Sequence, residues 1–164
     1  MIDSASVFDL TENTLKEIKR VVEEKNIKRL FFEAHWIYRN RLDEIRDFFG
    51  IPITFKTGIE TFDNDFRENV LKKGENFKDY REVKKYFDSP CVMVGIKGQT
   101  REMIDRDMEI IKEFSHATVN IFMNNSTEIK RDEDLVKWFV EKYRYLEDDP
   151  RVDILFEITD FGVG

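Results

Sequence analysis

Ile51-Pro52-Ile53-Thr54-Phe55-Lys56-Thr57-Gly58 and, further along, Pro90-Cys91-Val92-Met93-Val94-Gly95 are short apolar runs that each end on glycine. Runs of this length, rich in β-branched and aromatic residues and bounded by turn formers, read as strands. Three more are of the same kind: residues 28–34, residues 117–123 and residues 152–158. Between them lie segments with helical spacing. Leu15, Ile18 and Val22 share a face of a helix over 12–25 that Thr11 caps. Leu42, Ile45 and Phe49 do the same over 40–49, with Gly50 placed as a helix C-terminal glycine. Asp63 opens a helix over 63–72 with Phe66 and Val70 inward, and 78–87 forms a shorter one. Thr100 caps 100–114 through Ile104, Met108 and Ile111, and 132–146 carries Leu135, Phe139 and Tyr143. Strands alternating with helices predict an α/β fold with a mainly parallel, buried sheet of about five strands. The order opens on a helix, where a preceding strand is expected.

The chain has 164 residues and is 41% hydrophobic, with 15 phenylalanines, which suits a single packed domain over 1–164. Its formal charge of −7 argues against a nucleic-acid partner. Lys72-Lys73 and Lys84-Lys85 read as solvated helix surface. The one cysteine, Cys91, excludes an internal disulfide and a thiolate metal cage; within its apolar run it reads as a buried small hydrophobe. No metal ligands are assigned. With neither a signal peptide nor a bilayer-length apolar run, a cytoplasmic protein is expected.

Parallel α/β sheets bind ligands at the carboxyl ends of their strands. All five ends are polar here. They carry Glu33, His35 and Trp36; Lys56, Thr57, Gly58, Glu60 and Thr61; Gly95, Lys97, Gly98, Gln99 and Thr100; Asn124, Asn125 and Thr127; and Glu157, Thr159 and Asp160. Five polar ends suggest the rim of a shared pocket. Each residue also has a structural explanation. Glu60 can cap the next helix, Gly95 and Gly98 can make a tight turn, and Asn124-Asn125 are turn formers. His35 can be a packed, hydrogen-bonded histidine, and His116 precedes its strand at the end away from the pocket. P-loop spacing is absent, and no Ser-His-Asp or Cys-His device has support.

Two blocks carry a family resemblance. Lys56-Thr57-Gly58-Ile59-Glu60-Thr61-Phe62-Asp63, followed by Phe66-Arg67 and Val70-Leu71-Lys72-Lys73-Gly74, resembles a segment of the radical S-adenosylmethionine (radical SAM) family. Val92-Met93-Val94-Gly95-Ile96-Lys97-Gly98-Gln99-Thr100, followed by the acidic helix with Asp105 and Asp107, is similar to that family's Gly-Leu-Pro-Gly-Gln-Thr strand and turn. The resemblance spans about 30–135 and implies a partial, TIM-like (β/α) barrel with SAM across the strand ends. It further implies a [4Fe–4S] cluster held by C-x3-C-x2-C, whose free iron chelates SAM and whose electron cleaves it to a 5′-deoxyadenosyl radical. By the same resemblance, Glu60 contacts the SAM ribose and the Gly95–Gly98 turn passes the adenosyl group. Thr57, Gly58 and Gln99 belong to the two cofactor-binding blocks, and Asn120, Asn124 and Glu157 are general pocket candidates.

Three departures stand out. C-x3-C-x2-C is absent, the family's Gly-Gly-Glu segment is absent, and Lys97 replaces the proline. The expectation is that Met1 is an internal start past the cluster loop, and that full activity needs cysteines from outside this sequence. One alternative is a cluster-free barrel that binds SAM or another nucleotide, or acts as an interaction module. A second is an unrelated α/β protein working through partner contacts. An unpaired sheet edge beside residues 28–34 is expected to favour homo-oligomers.

Overall fold

The computed structural model describes residues 6–156. Five strands, β1 (Leu30–Glu33), β2 (Ile53–Glu60), β3 (Ser89–Val94), β4 (Ala117–Ile121) and β5 (Val152–Leu155), form one sheet. Their order in space is their order in sequence, and every neighbouring pair is parallel. A doubly wound sheet would reverse direction at a switch point. An unreversed order is that of a barrel wall, and the five strands form a half-barrel.

The helices α1 (Glu12–Glu24), α2 (Leu42–Phe49), α3 (Tyr80–Lys84), α4 (Arg101–Ile111) and α5 (Glu133–Tyr143) join the strands. Thr11 and Thr100 cap α1 and α4 through their side-chain oxygens, and Gly50 ends α2 in the left-handed conformation. The core lies between sheet and helices. Phe55, Ile59, Val92, Val94, Val119 and Ile121 meet Ile104, Met108, Leu135 and Phe139 there. The residues between them on each strand face the other way. So only one face of the sheet is apolar, where the run pattern suggested two. The concave face carries Glu33, Lys56, Gly58, Cys91, Met93, Thr118, Asn120 and Asp153, as the strand register requires.

One expected helix is shorter and irregular. Of residues 63–72, only 64–70 are helical, and most of that length is a π-helical turn, Phe66–Val70. Asp63 does cap it, accepting from the Phe66 N–H at 2.9 Å. But Lys72 and Gly74 have φ of 54° and 71°, which stops the helix. The guanidinium of Arg67, 1% exposed, then gathers the loop. It donates to the Thr61 carbonyl (3.1 Å), Asn64 Oδ1 (2.7 Å) and the Phe77 carbonyl (3.3 Å), and stacks 3.6 Å from the Phe77 ring. The 78–87 helix is likewise shorter, Tyr80–Lys84. The last strand is seen to Leu155; Glu157, Thr159 and Asp160 lie outside the described residues.

α4 is tied to the same loop by Asp107, 2% exposed, which accepts from the Phe62 N–H at 2.9 Å. Burial pushes this carboxyl up to about 7, against the hydrogen bonds from Thr61 and Phe62. A carboxyl raised in the folded state contributes stability at low pH and loses it as pH rises through the folded value. Thermal stability should therefore fall between about pH 4 and pH 7. Asp107→Asn, which keeps an acceptor for Phe62, should flatten part of that slope in scans across pH. An unchanged slope would refute the assignment.

Candidate functional site

The concave face opens into a recess of about 410 Å3 lined by Glu33, Lys56, Cys91, Thr118, Asn120, Asp153 and Leu155. Alternation along five parallel strands puts these residues there. On the floor, Lys56 Nζ donates to Thr118 Oγ1 (3.1 Å) and to Asp153 Oδ2 (3.3 Å). His116 Nε2 stands 3.6 Å from the same Asp153 oxygen, below the strands' amino ends. Cys91 is buried as expected, but among polar neighbours; desolvation pushes its thiol up to about 12, so it is neutral. Desolvation likewise holds Glu33 above the ordinary carboxylate range, with Lys56 pulling the other way. A smaller cavity, about 150 Å3, lies between Ile111, Phe114, Leu146 and Val152, away from this face.

At the carboxyl ends, β2 carries a bulge between Gly58 and Glu60, and Glu60 has φ of 63°. The bulge aims a side chain that regular pleating would send elsewhere. Glu60 Oε1 accepts from Lys73 Nζ at 2.7 Å, and this pair sits over the bare Cα of Gly58. Burial works against the Lys73 charge, yet Glu60 and Glu75 hold its pKa above the usual lysine value. Glu75 is 1% exposed, both its carboxylate oxygens lack a hydrogen-bond partner, and His35 Nε2 stands 3.5 Å away. Burial pushes Glu75 up to about 7 and, aided by Lys73, lowers His35.

The residues expected at the site divide into groups. Gly58 and Glu60 are together at the mouth. Gly95, Gly98 and Gln99 form one turn at the end of β3, held internally: Gln99 Oε1 accepts from the Ile96 N–H (3.0 Å) and Nε2 donates to the Met93 carbonyl (2.8 Å). Asn124 Oδ1 accepts from the Arg131 N–H at 2.9 Å, a loop tie consistent with a turn former. Thr57 is set apart: strand alternation puts its side chain, 1% exposed, with Phe55 and Ile59 on the helix side. His35 is not packed away but caps the turn after β1 and remains half exposed.

Lys73 and Glu75 were missed. Lys73 is no solvated surface lysine; its side chain is 24% exposed and paired. The one available sign was Gly74, which breaks the helix that would have carried Lys73 into solvent. Asp153 and Thr118 on the floor could have been placed by strand alternation alone.

No protein-family model matches the chain, and no curated protein matches it. A solved structure does. It is the queuine lyase from Clostridium spiroforme bound to SAM and queuine, with a TM-score of 0.94 and 50% sequence identity, covering 98% of this chain and 70% of that one. Identity at that level over nearly the whole chain, on the half-barrel with its polar concave face, means that the chain belongs to the radical SAM family.

Proposed function

We propose that this chain binds S-adenosylmethionine across the carboxyl ends of its strands and forms the cofactor- and substrate-binding part of a queuine lyase. The 50% identity to a structure holding both ligands carries the reading. The geometry of the mouth supports this reading. Gly58 makes room for the Glu60–Lys73 pair, and Glu60, lifted by the bulge, would offer its other carboxylate oxygen to a ribose hydroxyl. The turn through Gly95, Gly98 and Gln99 gives a rigid wall for the adenosyl group, with Asn124 in the neighbouring loop. SAM, when bound beside a reduced cluster, supplies the radical chemistry of the family.

The residues of this chain do not fit a [4Fe–4S] cluster. Its one cysteine is buried and neutral, and no group of three metal-binding side chains occurs among the described residues. Cluster thiolates would have to come from elsewhere. This supports a second reading, a cluster-free module that binds SAM or a related nucleotide. Calorimetric titration of the chain with SAM tests both. Glu60→Ala should weaken binding roughly tenfold or more, the worth of a charge-assisted hydrogen bond. Unchanged affinity would remove Glu60 from the site.

Among the described residues, β1 has a strand neighbour on one side only. Among the described residues no helix is long and apolar enough to cross a membrane. We propose that the free edge of β1, beside the 46%-exposed Phe31, drives self-association. Light scattering should find dimers or larger species; a monomer at high concentration would overturn this.

A further inference from the structure

The floor of the recess holds a telling imbalance of hydrogen-bonding groups. Buried polar groups normally have partners, and an orphan calls for an explanation. Lys56 is satisfied by Thr118 and Asp153. Asp153, half exposed, is paired through Oδ2 with Lys56, with His116 3.6 Å from the same oxygen. Cys91 is Thr118's neighbour in register, and its thiol is neutral. Two groups are left over. Asn120 Oδ1 is buried without a hydrogen bond, and the half-buried Glu33 carboxylate, which lines the recess, has no hydrogen bond or ion pair among the described residues, although the charges of Lys56 and Lys73 act on it through space. Lys56 is Glu33's neighbour in register, but its ammonium is turned to Thr118 and Asp153. Both leftover groups are acceptors, so what completes the floor must bring donors.

Charge points the same way. Two carboxylates, Glu33 and Asp153, line the recess against one ammonium, Lys56. A phosphorylated ligand would be repelled by these two carboxylates. A protonated amine would give Glu33 the partner it lacks, and burial strengthens that interaction.

We propose that Glu33 is a specificity-determining residue whose carboxylate binds the protonated amine of a cationic, unphosphorylated substrate, while Asn120 accepts a second hydrogen from the same molecule. This rests on the reading of the chain as a queuine-binding radical SAM core and names what its floor selects for. It separates the floor from the mouth: Glu60 serves the cofactor, Glu33 the substrate.

The test titrates the full chain, by calorimetry, with SAM and with two probes of one shape class. One is 7-aminomethyl-7-deazaguanine, a cation; the other is 7-cyano-7-deazaguanine, which is uncharged. The unaltered chain should prefer the cation by about tenfold to a hundredfold, and Glu33→Gln should abolish most of that preference. Equal preference in the chain and in Glu33→Gln overturns the proposal. So does SAM binding with neither probe bound, which leaves the cofactor reading standing. Absence of SAM binding, with the cation preference present and sensitive to Glu33, sinks the cofactor reading and keeps this one. Should Glu33→Gln fail to fold, Asn120→Asp decides: a third carboxylate in the recess should raise the cation preference, and an unchanged preference overturns the proposal.

Discussion

Arg67→Ala should destabilise the chain by about 3–5 kcal/mol, the cost of removing one member of a buried, charged network. The side chain is 1% exposed and contacts the backbone at Thr61 and Phe77 together with Asn64 and Glu68. Without it the carbonyls of Thr61 and Phe77 lose their donor inside the fold, and the Phe77 ring loses the plane stacked on it. A total stability of about 5–15 kcal/mol leaves little margin for such a loss. Arg67→Lys should rescue poorly, because one ammonium cannot replace a planar fork that bonds several ways while stacking. Urea denaturation gives the size of the effect, and hydrogen exchange over 61–77 its place. A loss under about 1 kcal/mol would mean that the loop holds its shape by other contacts.

Gly95→Ala should cost about 3 kcal/mol, from two separable sources. The backbone has φ of 89°, where a side chain is strained by about 1–2 kcal/mol. A Cβ there would also lie 2.2 Å from Val136 Cγ2 on α5, an overlap worth about 1–3 kcal/mol. A double-mutant cycle separates them. Gly95→Ala should cost less in a Val136→Ala background than in the unaltered chain, since the overlap is gone and only backbone strain persists. Equal costs in the two backgrounds would show that α5 does not press on the turn. The glycine that a motif would assign to the cofactor is thus, in this fold, first of all the place where α5 touches the sheet.

The five strands were legible because apolar runs of strand length stand between capped, periodic helices. Thr11, Thr100 and Gly50 act as the sequence implies. The polar floor was half legible. Lys56 and Glu33 were noticed at strand ends, yet Asp153 lies inside what looked like an apolar strand. The segment after β2 misled for a physical reason. Phe66 and Val70 are four apart, as on a helix, but Phe66 is buried while Val70 is exposed. What shapes that segment is Arg67, and nothing local distinguishes a buried arginine from a solvated one. Lys73 and Glu75 reach the mouth because the helix stops before them, at Lys72 and Gly74. The bulge at Gly58–Glu60 was invisible too, since it depends on the register with β3.

Glu60 takes a backbone shape that glycine or asparagine would hold more comfortably. Evolution for heat tolerance alone would trade this glutamate away and gain about 1 kcal/mol. Under the proposed function, its presence at the lip of the cup marks a spot where the molecule forgoes robustness for a carboxylate aimed at a ligand.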